Sequence, residues 1–127
     1  MLDTDSVSYA LRGQGQVAAN IVRRRPSELC ISSITIAELR FGASRKKSAK
    51  LHGLIDAFTA NIVVVAFDEA AALEFGRIGA DLAARGMPIG ELDILIAAHA
   101  VSSKAVLVTN NERHFARVRG LRVENWL

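Results

Sequence analysis

Apolar residues along this chain follow two alternating rhythms. Short runs rich in valine and isoleucine are separated by longer stretches whose apolar residues recur three or four positions apart. Runs of the first kind read as buried strands, and stretches of the second kind as helices. The pattern predicts strands over 1–4, 29–33, 62–67, 105–108 and 121–125. It predicts helices over 5–11, 17–25, 34–43, 47–59, 68–85 and 91–103, with a short helical piece over 112–117. Gly13, Pro26 and Gly86 stop the first, second and fifth helices, and Ser33 is placed to cap the third. Leu51, Leu54, Ile55 and Phe58 share one face of helix 47–59. The run Ile94, Leu95, Ile96, Ala97 and Ala98 requires helix 91–103 to be buried nearly all round.

Strands that alternate with helices define an α/β fold: a central parallel β-sheet flanked by helices on both faces. No repeat, low-complexity segment or linker interrupts the pattern, so residues 1–127 form one domain. Ligands of such sheets sit beyond the carboxyl ends of the strands. Asp3 follows the first strand, and Thr109, Asn110 and Asn111 follow the fourth. Glu38 lies one turn into the helix after the second strand, and Glu91 and Asp93 open helix 91–103. Carboxylates beside apolar runs are costly to bury unless something pairs with them. If the fold gathers these acids, the natural partner is a hard divalent cation and the natural chemistry is at phosphate. Simpler roles stand beside this one. Asp3 can be a helix cap, Glu38 an exposed glutamate, and Glu91 and Asp93 acids that favour a helix N-terminus. Asp93 resists that reading most, because it stands at the mouth of the most apolar helix.

Charge refines the picture. The net charge is +3, but the cations are clustered: Arg23, Arg24 and Arg25; Arg45, Lys46, Lys47 and Lys50; Arg113, Arg117, Arg119 and Arg122. Such clusters suit a polyanion such as nucleic acid, and equally suit solvated helix faces. No apolar run approaches the roughly 20 residues of a membrane span. No signal-peptide pattern is visible, and the single cysteine, Cys30, sits in a strand expected to be buried. Together these lead to the expectation of a cytoplasmic protein. His52, His99 and His114 have no zinc-like spacing, and His99 reads as a core or helix-face residue. Gly13-Gln14-Gly15 lacks the strand and lysine of a phosphate loop.

Five segments carry a family pattern. They are Met-Leu-Asp-Thr-Asp at 1–5, Ile-Ser-Ser-Ile-Thr-Ile-Ala-Glu-Leu-Arg-Phe-Gly at 31–42, and Pro-Ile-Gly-Glu-Leu-Asp-Ile-Leu-Ile-Ala-Ala-His-Ala at 88–100. Val-Thr-Asn-Asn at 108–111 and Val-Arg-Gly-Leu-Arg-Val-Glu-Asn-Trp at 118–126 complete the set. In order and spacing the whole chain resembles PIN-domain proteins, and more narrowly the VapC toxins of bacterial toxin–antitoxin pairs. The resemblance implies a Mg²⁺- or Mn²⁺-dependent endoribonuclease that cuts a tRNA or another structured RNA at a single-stranded loop. It implies a homodimer and a cognate VapB-type antitoxin that blocks the site. It assigns Asp3, Glu38 and Asp93 as catalytic residues, with Asp3 and Asp93 as metal ligands. The fourth acidic position of the family falls on 109–111, where this chain has Asn111. Glu112 follows directly, and His114 stands where some relatives have glutamate. Asp5, where asparagine is usual, and Thr109 are further candidates for completing the site. Arg45, Lys46, Arg113 and Arg117 are candidates for RNA contact. By the same resemblance Val7, Leu11, Leu51, Leu54 and Ile55 would line an apolar groove for the antitoxin, against ordinary core packing.

Two other readings use the same residues. A PIN-like module without its fourth acid would bind RNA or a partner and never cut. Asp3-Thr4-Asp5-Ser6-Val7 also matches the first motif of haloacid-dehalogenase-like phosphatases. Those enzymes place a threonine-ended strand before their late acidic motif, whereas Val108-Thr109 here follows Asp93.

Overall fold

Residues 1–127 are described by a computed structural model, and its strands run parallel in one sheet. Along the chain lie α1 (Thr4–Leu11), α2 (Val17–Val22), a 3₁₀ turn (Pro26–Glu28), β1 (Cys30–Ser32), α3 (Ser33–Arg45) and α4 (Ala49–Thr59). Then come β2 (Val63–Val65), α5 (Glu69–Ala84), α6 (Glu91–Ser102), β3 (Leu107–Val108), α7 (Glu112–Phe115) and β4 (Val123–Glu124). β1 pairs with β2, and β3 with β4. Leu2 joins the halves, bridging Ile31 on one side and Val108 on the other. The spatial order is therefore β2, β1, the Leu2 segment, β3, β4.

Alternation of side chains along each strand gives the sheet two buried faces. Met1 and Leu107 point into a core with Ile78, Leu82, Ile96 and Phe115, so α5, α6 and α7 cover that face. Leu2, Ile31 and Val108 point the other way, against Val7, Leu39, Ile55 and Trp126 from the α1–α4 half and the C-terminal segment. Phe115 is 1 % exposed. Phe115→Ala is expected to lower unfolding free energy by about 3–5 kcal/mol in urea titrations.

The sheet is narrower than the valine and isoleucine runs suggest. The predicted first strand, 1–4, reduces to the Leu2 bridge, because Asp3 already caps α1 and Thr4 is helical. Helix 17–25 ends at Val22 rather than at Pro26, and helix 47–59 starts at Ala49, after Lys47 with φ 51°. The cap of α3 is Ser32, not Ser33: Ser32 Oγ accepts from the Ile34 N–H, while Ser33 Oγ accepts from the Phe67 N–H. β2 is an edge strand, so Val63 and Val64 are exposed, not buried, and Cys30 is only half-buried. Burial of α6 is complete over Ile96–Ala100, but Leu92 is half-exposed, which corrects the all-round burial expected of this helix. No helix is long and apolar enough to cross a membrane.

Candidate active site

The carboxyl ends of the central strands deliver the acids to one place. The Asp3 N–H donates to the Val108 carbonyl at 2.9 Å, which fixes Asp3 at the end of the sheet. Its Oδ1 accepts from the Ser6 N–H at 2.8 Å and so caps α1. Asp5 lies in the first turn of that helix. Ser32 starts α3 so that Glu38, in its second turn, faces α1, where Thr4 Oγ1 donates to Glu38 Oε1 at 2.7 Å. Asp93 lies in the first turn of α6. Asp3, Asp5, Glu38 and Asp93 line one cavity of about 40 Å³, closed by Thr4 and Ile96.

This geometry works against four negative charges. Burial pushes the Asp3 carboxyl above its ordinary range, with Thr109 and Ser6 opposing and Asp5 adding to the rise. Burial raises Glu38 as well; the Thr4 hydrogen bond opposes it, and repulsion from Asp93, Asp5 and Asp3 adds to it. Asp93 is raised by burial, with His114 pulling it back and Asp5 pushing it further. His114 Nδ1 lies 3.7 Å from Asp93 Oδ2, a charge contact beyond hydrogen-bond length.

A hard divalent cation fits this donor set. Every polar side chain on the cavity is an oxygen donor and none is cationic. Asp3, Glu38 and Asp93 are raised by their burial and by repulsion from neighbouring carboxylates, which a cation would relieve. No three of them are drawn into a ready-made coordination shell, as expected of carboxylates that repel one another. Because the three raised groups hold protons more tightly folded than unfolded, stability of the metal-free protein falls as pH rises from the ordinary carboxylate range through the raised values. Melting temperatures measured in EDTA across that window should show this fall, and Mn²⁺ should reduce it at the upper end.

The structure separates the candidate residues. Asp3, Glu38 and Asp93 converge, and Asp5 joins them; Glu91, Asn111 and Glu112 do not line the cavity. Thr109 is buried beside Asp3, and its Oγ1 accepts from the Asn111 N–H. Asn111 precedes α7 without a side-chain capping bond. Arg45 and Arg113 are exposed. Arg117 Nη1 donates to the Pro88 carbonyl at 3.0 Å, tying the chain beyond α7 to the loop before α6. Lys46 lines a larger cleft of about 270 Å³ that shares Thr4, Asp5 and Glu38 with the acidic cavity. Of the expected antitoxin-groove residues, Leu11 and Leu51 line this cleft. Val7 and Ile55 are fully buried and belong to the core, so they offer no open surface. His99 is a core residue, with Nδ1 2.7 Å from Ser32 Oγ. Thr4, as the residue holding Glu38, escapes sequence reasoning, and His114, which the resemblance puts where some relatives have glutamate, stands beside Asp93. Their partners lie 34 and 21 positions away and are set only by helix packing.

An α/β domain with carboxylates gathered at the strand ends over a small polar cavity defines a class, and the chain belongs to the PIN domain family, whose profile matches residues 1–121. Its relatives place it among the VapC proteins of that family. It is 38% identical over 127 residues to the tRNA(fMet)-specific endonuclease VapC of Shigella flexneri, covering 99% of this chain and 96% of that one. It is 38% identical over 128 residues to ribonuclease VapC2 of Haemophilus influenzae strain Rd, covering 100% and 97%. In structure it resembles a chain of VapBC2 from Rickettsia felis bound to a DNA fragment from their promoter. The TM-score is 0.92 at 33% identity, over 100% of this chain and 98% of that one. A haloacid-dehalogenase-like phosphatase is not supported by these relatives.

Proposed function

We propose that this protein is an endoribonuclease toxin that cuts RNA, with a tRNA cut at a single-stranded loop as its substrate, and that it is held inactive by a cognate VapB-type antitoxin. The observation that carries the activity is the convergence of Asp3, Asp5, Glu38 and Asp93 on one small cavity at the strand ends. Full-length similarity to a tRNA(fMet)-specific endonuclease supports the substrate class. Similarity to a VapBC assembly supports the antitoxin. Large apolar side chains left on the surface, Val22, Phe41 and Leu73 among them, support a homodimer.

Asp3 and Asp93 would hold a Mg²⁺ or Mn²⁺ ion, with Glu38 as a further ligand or as the group that orients a water. Such an ion supplies Lewis-acid activation of the phosphodiester and of the attacking water. Asp3 is fixed by its capping bond and by the sheet, and so presents its carboxylate in one orientation. Thr4 holds one oxygen of Glu38, and Glu38 lines the cavity, where its other oxygen would accept a proton from the attacking water. Asp5, exposed in the first turn of α1, would supply the negative charge that the amide of Asn111 does not. This fourth acid is why a catalytic reading is preferred to a binding-only module. Incubation of the purified protein with a mixture of tRNAs in Mg²⁺ or EDTA, followed by sequencing of the new ends, tests the proposal. Cuts confined to Mg²⁺ and to loops are expected; RNA bound equally in EDTA and never cut would mean a binding module.

A further inference from the structure

The larger cleft that opens off the acidic cavity has a polarity of its own. One end carries Asp5 and Glu38, and the other carries Arg12 and Lys46. Arg12, the C-cap of α1, follows Asp5 by seven positions, and Lys46, the C-cap of α3, follows Glu38 by eight, so each pair lies within about 80° around its helix. At 1.5 Å per residue the cations lie about 10–12 Å along the helices from the acids. No carboxylate lies within ion-pair distance of either cation. Arg12 is nevertheless braced: its Nε donates to the Ser8 carbonyl, and its guanidinium lies 5.1 Å from the Tyr9 ring centre. Between Glu38 and Lys46 the cleft is lined by Gly42. A glycine inside a helix is destabilising relative to alanine. Here a Cβ would meet nothing within 4 Å, so nothing within the chain requires glycine at 42, and the space it leaves belongs to the cleft.

We infer that this cleft is the track of the RNA strand beside the cut, with Arg12 and Lys46 gripping a phosphate next to the scissile one and Gly42 leaving clearance for the strand. This rests on the ribonuclease reading. The cavity of acids repels phosphate until a cation is bound, whereas two unpaired cations a short distance away attract it without one. Leu11, Leu39 and Leu51 give the cleft an apolar lining suited to the faces of bases or sugars.

The test uses a fluorescent single-stranded RNA oligonucleotide and the full chain, carrying Arg12→Gln, Lys46→Gln or Gly42→Ala. Each cation variant should raise KM roughly 3- to 10-fold with kcat little changed. In an Asp93→Asn background, each should also flatten the salt dependence of RNA binding by about 0.7 in slope. Arg12→Lys should restore most of the affinity. Gly42→Ala should raise the melting temperature by a few degrees and still weaken RNA binding. A purely structural role, in which Arg12 and Lys46 only complement the C-terminal ends of α1 and α3, predicts lower melting temperatures with KM and salt slope unchanged, and that result would overturn the inference. Variants that loosen only a bound antitoxin and leave RNA binding intact would also overturn it, by giving the cleft to the antitoxin. A wild-type chain that cuts no RNA would instead sink the ribonuclease reading itself.

Discussion

Asp93→Asn is expected to reduce Mg²⁺-dependent RNA cleavage about a thousandfold while leaving a folded protein. A cation and its carboxylate ligands stabilise several kcal/mol of transition-state charge, and each 1.36 kcal/mol is tenfold in rate. Asparagine keeps the shape of the side chain and loses the charge that would hold the cation. The fold has no need of that charge. Burial and the Asp5 carboxylate disfavour it, against the contact with His114 and a place in the first turn of α6 that favour it modestly. The metal-free variant should therefore melt no lower than the wild type at neutral pH, and its melting temperature should respond less to Mn²⁺. Single-turnover cleavage assays beside thermal melts separate the two effects. A variant that unfolds would show that Asp93 holds the helix entrance instead.

Asp3 yields a sharper contrast, because one carboxylate does two jobs. It caps α1 through the Ser6 N–H, and it lines the acidic cavity. Asparagine caps a helix about as well as aspartate, whereas alanine in place of either costs about 0.5–2 kcal/mol. Asp3 is 5 % exposed, so water would not readily replace the lost acceptor, and the cost should lie in the upper half of that range. Asp3→Asn should abolish cleavage with little change in urea stability, and Asp3→Ala should abolish cleavage and lower stability by about 1–2 kcal/mol. If Asp3→Asn cuts normally, its carboxylate is a cap and nothing more.

The convergence of Asp3, Glu38 and Asp93 on one cavity was legible in the sequence for a physical reason. Parallel α/β sheets put their ligands beyond the strand ends, and Asp3, Glu38 and Asp93 each follow a strand or open a helix there. The fourth position was left open in the sequence among Asn111, Glu112, Thr109 and Asp5, and of these only Asp5 lines the cavity. Asn111 and Glu112 sit at the right place in the chain, but α7 starts there without bringing either side chain to the cavity. Asp5 reaches it because α1 begins at Thr4, one residue earlier than the predicted strand allows. Adjacent serines posed a similar problem. Ser32 and Ser33 are equally good caps by type, and the choice falls to Ser32 because His99 packs against its hydroxyl and the Phe67 N–H takes the other. Strand lengths were overread because valine and isoleucine mark where a β-conformation is tolerated, not where a neighbour exists to bond it. Ile62 shows this: it belongs to the predicted run 62–67 and lies outside β2.

The chemistry of the new RNA ends tests the central claim most directly. One defined RNA is incubated with the wild-type protein in Mg²⁺ and in EDTA, and the termini are identified. Cation-assisted attack by water leaves a phosphomonoester on one side and a hydroxyl on the other, and it stops in EDTA. Those ends, only in Mg²⁺, are the expected result. Cleavage that persists in EDTA, or that leaves 2′,3′-cyclic phosphates from attack by the RNA's own 2′-hydroxyl, would contradict a mechanism built on Asp3, Glu38 and Asp93.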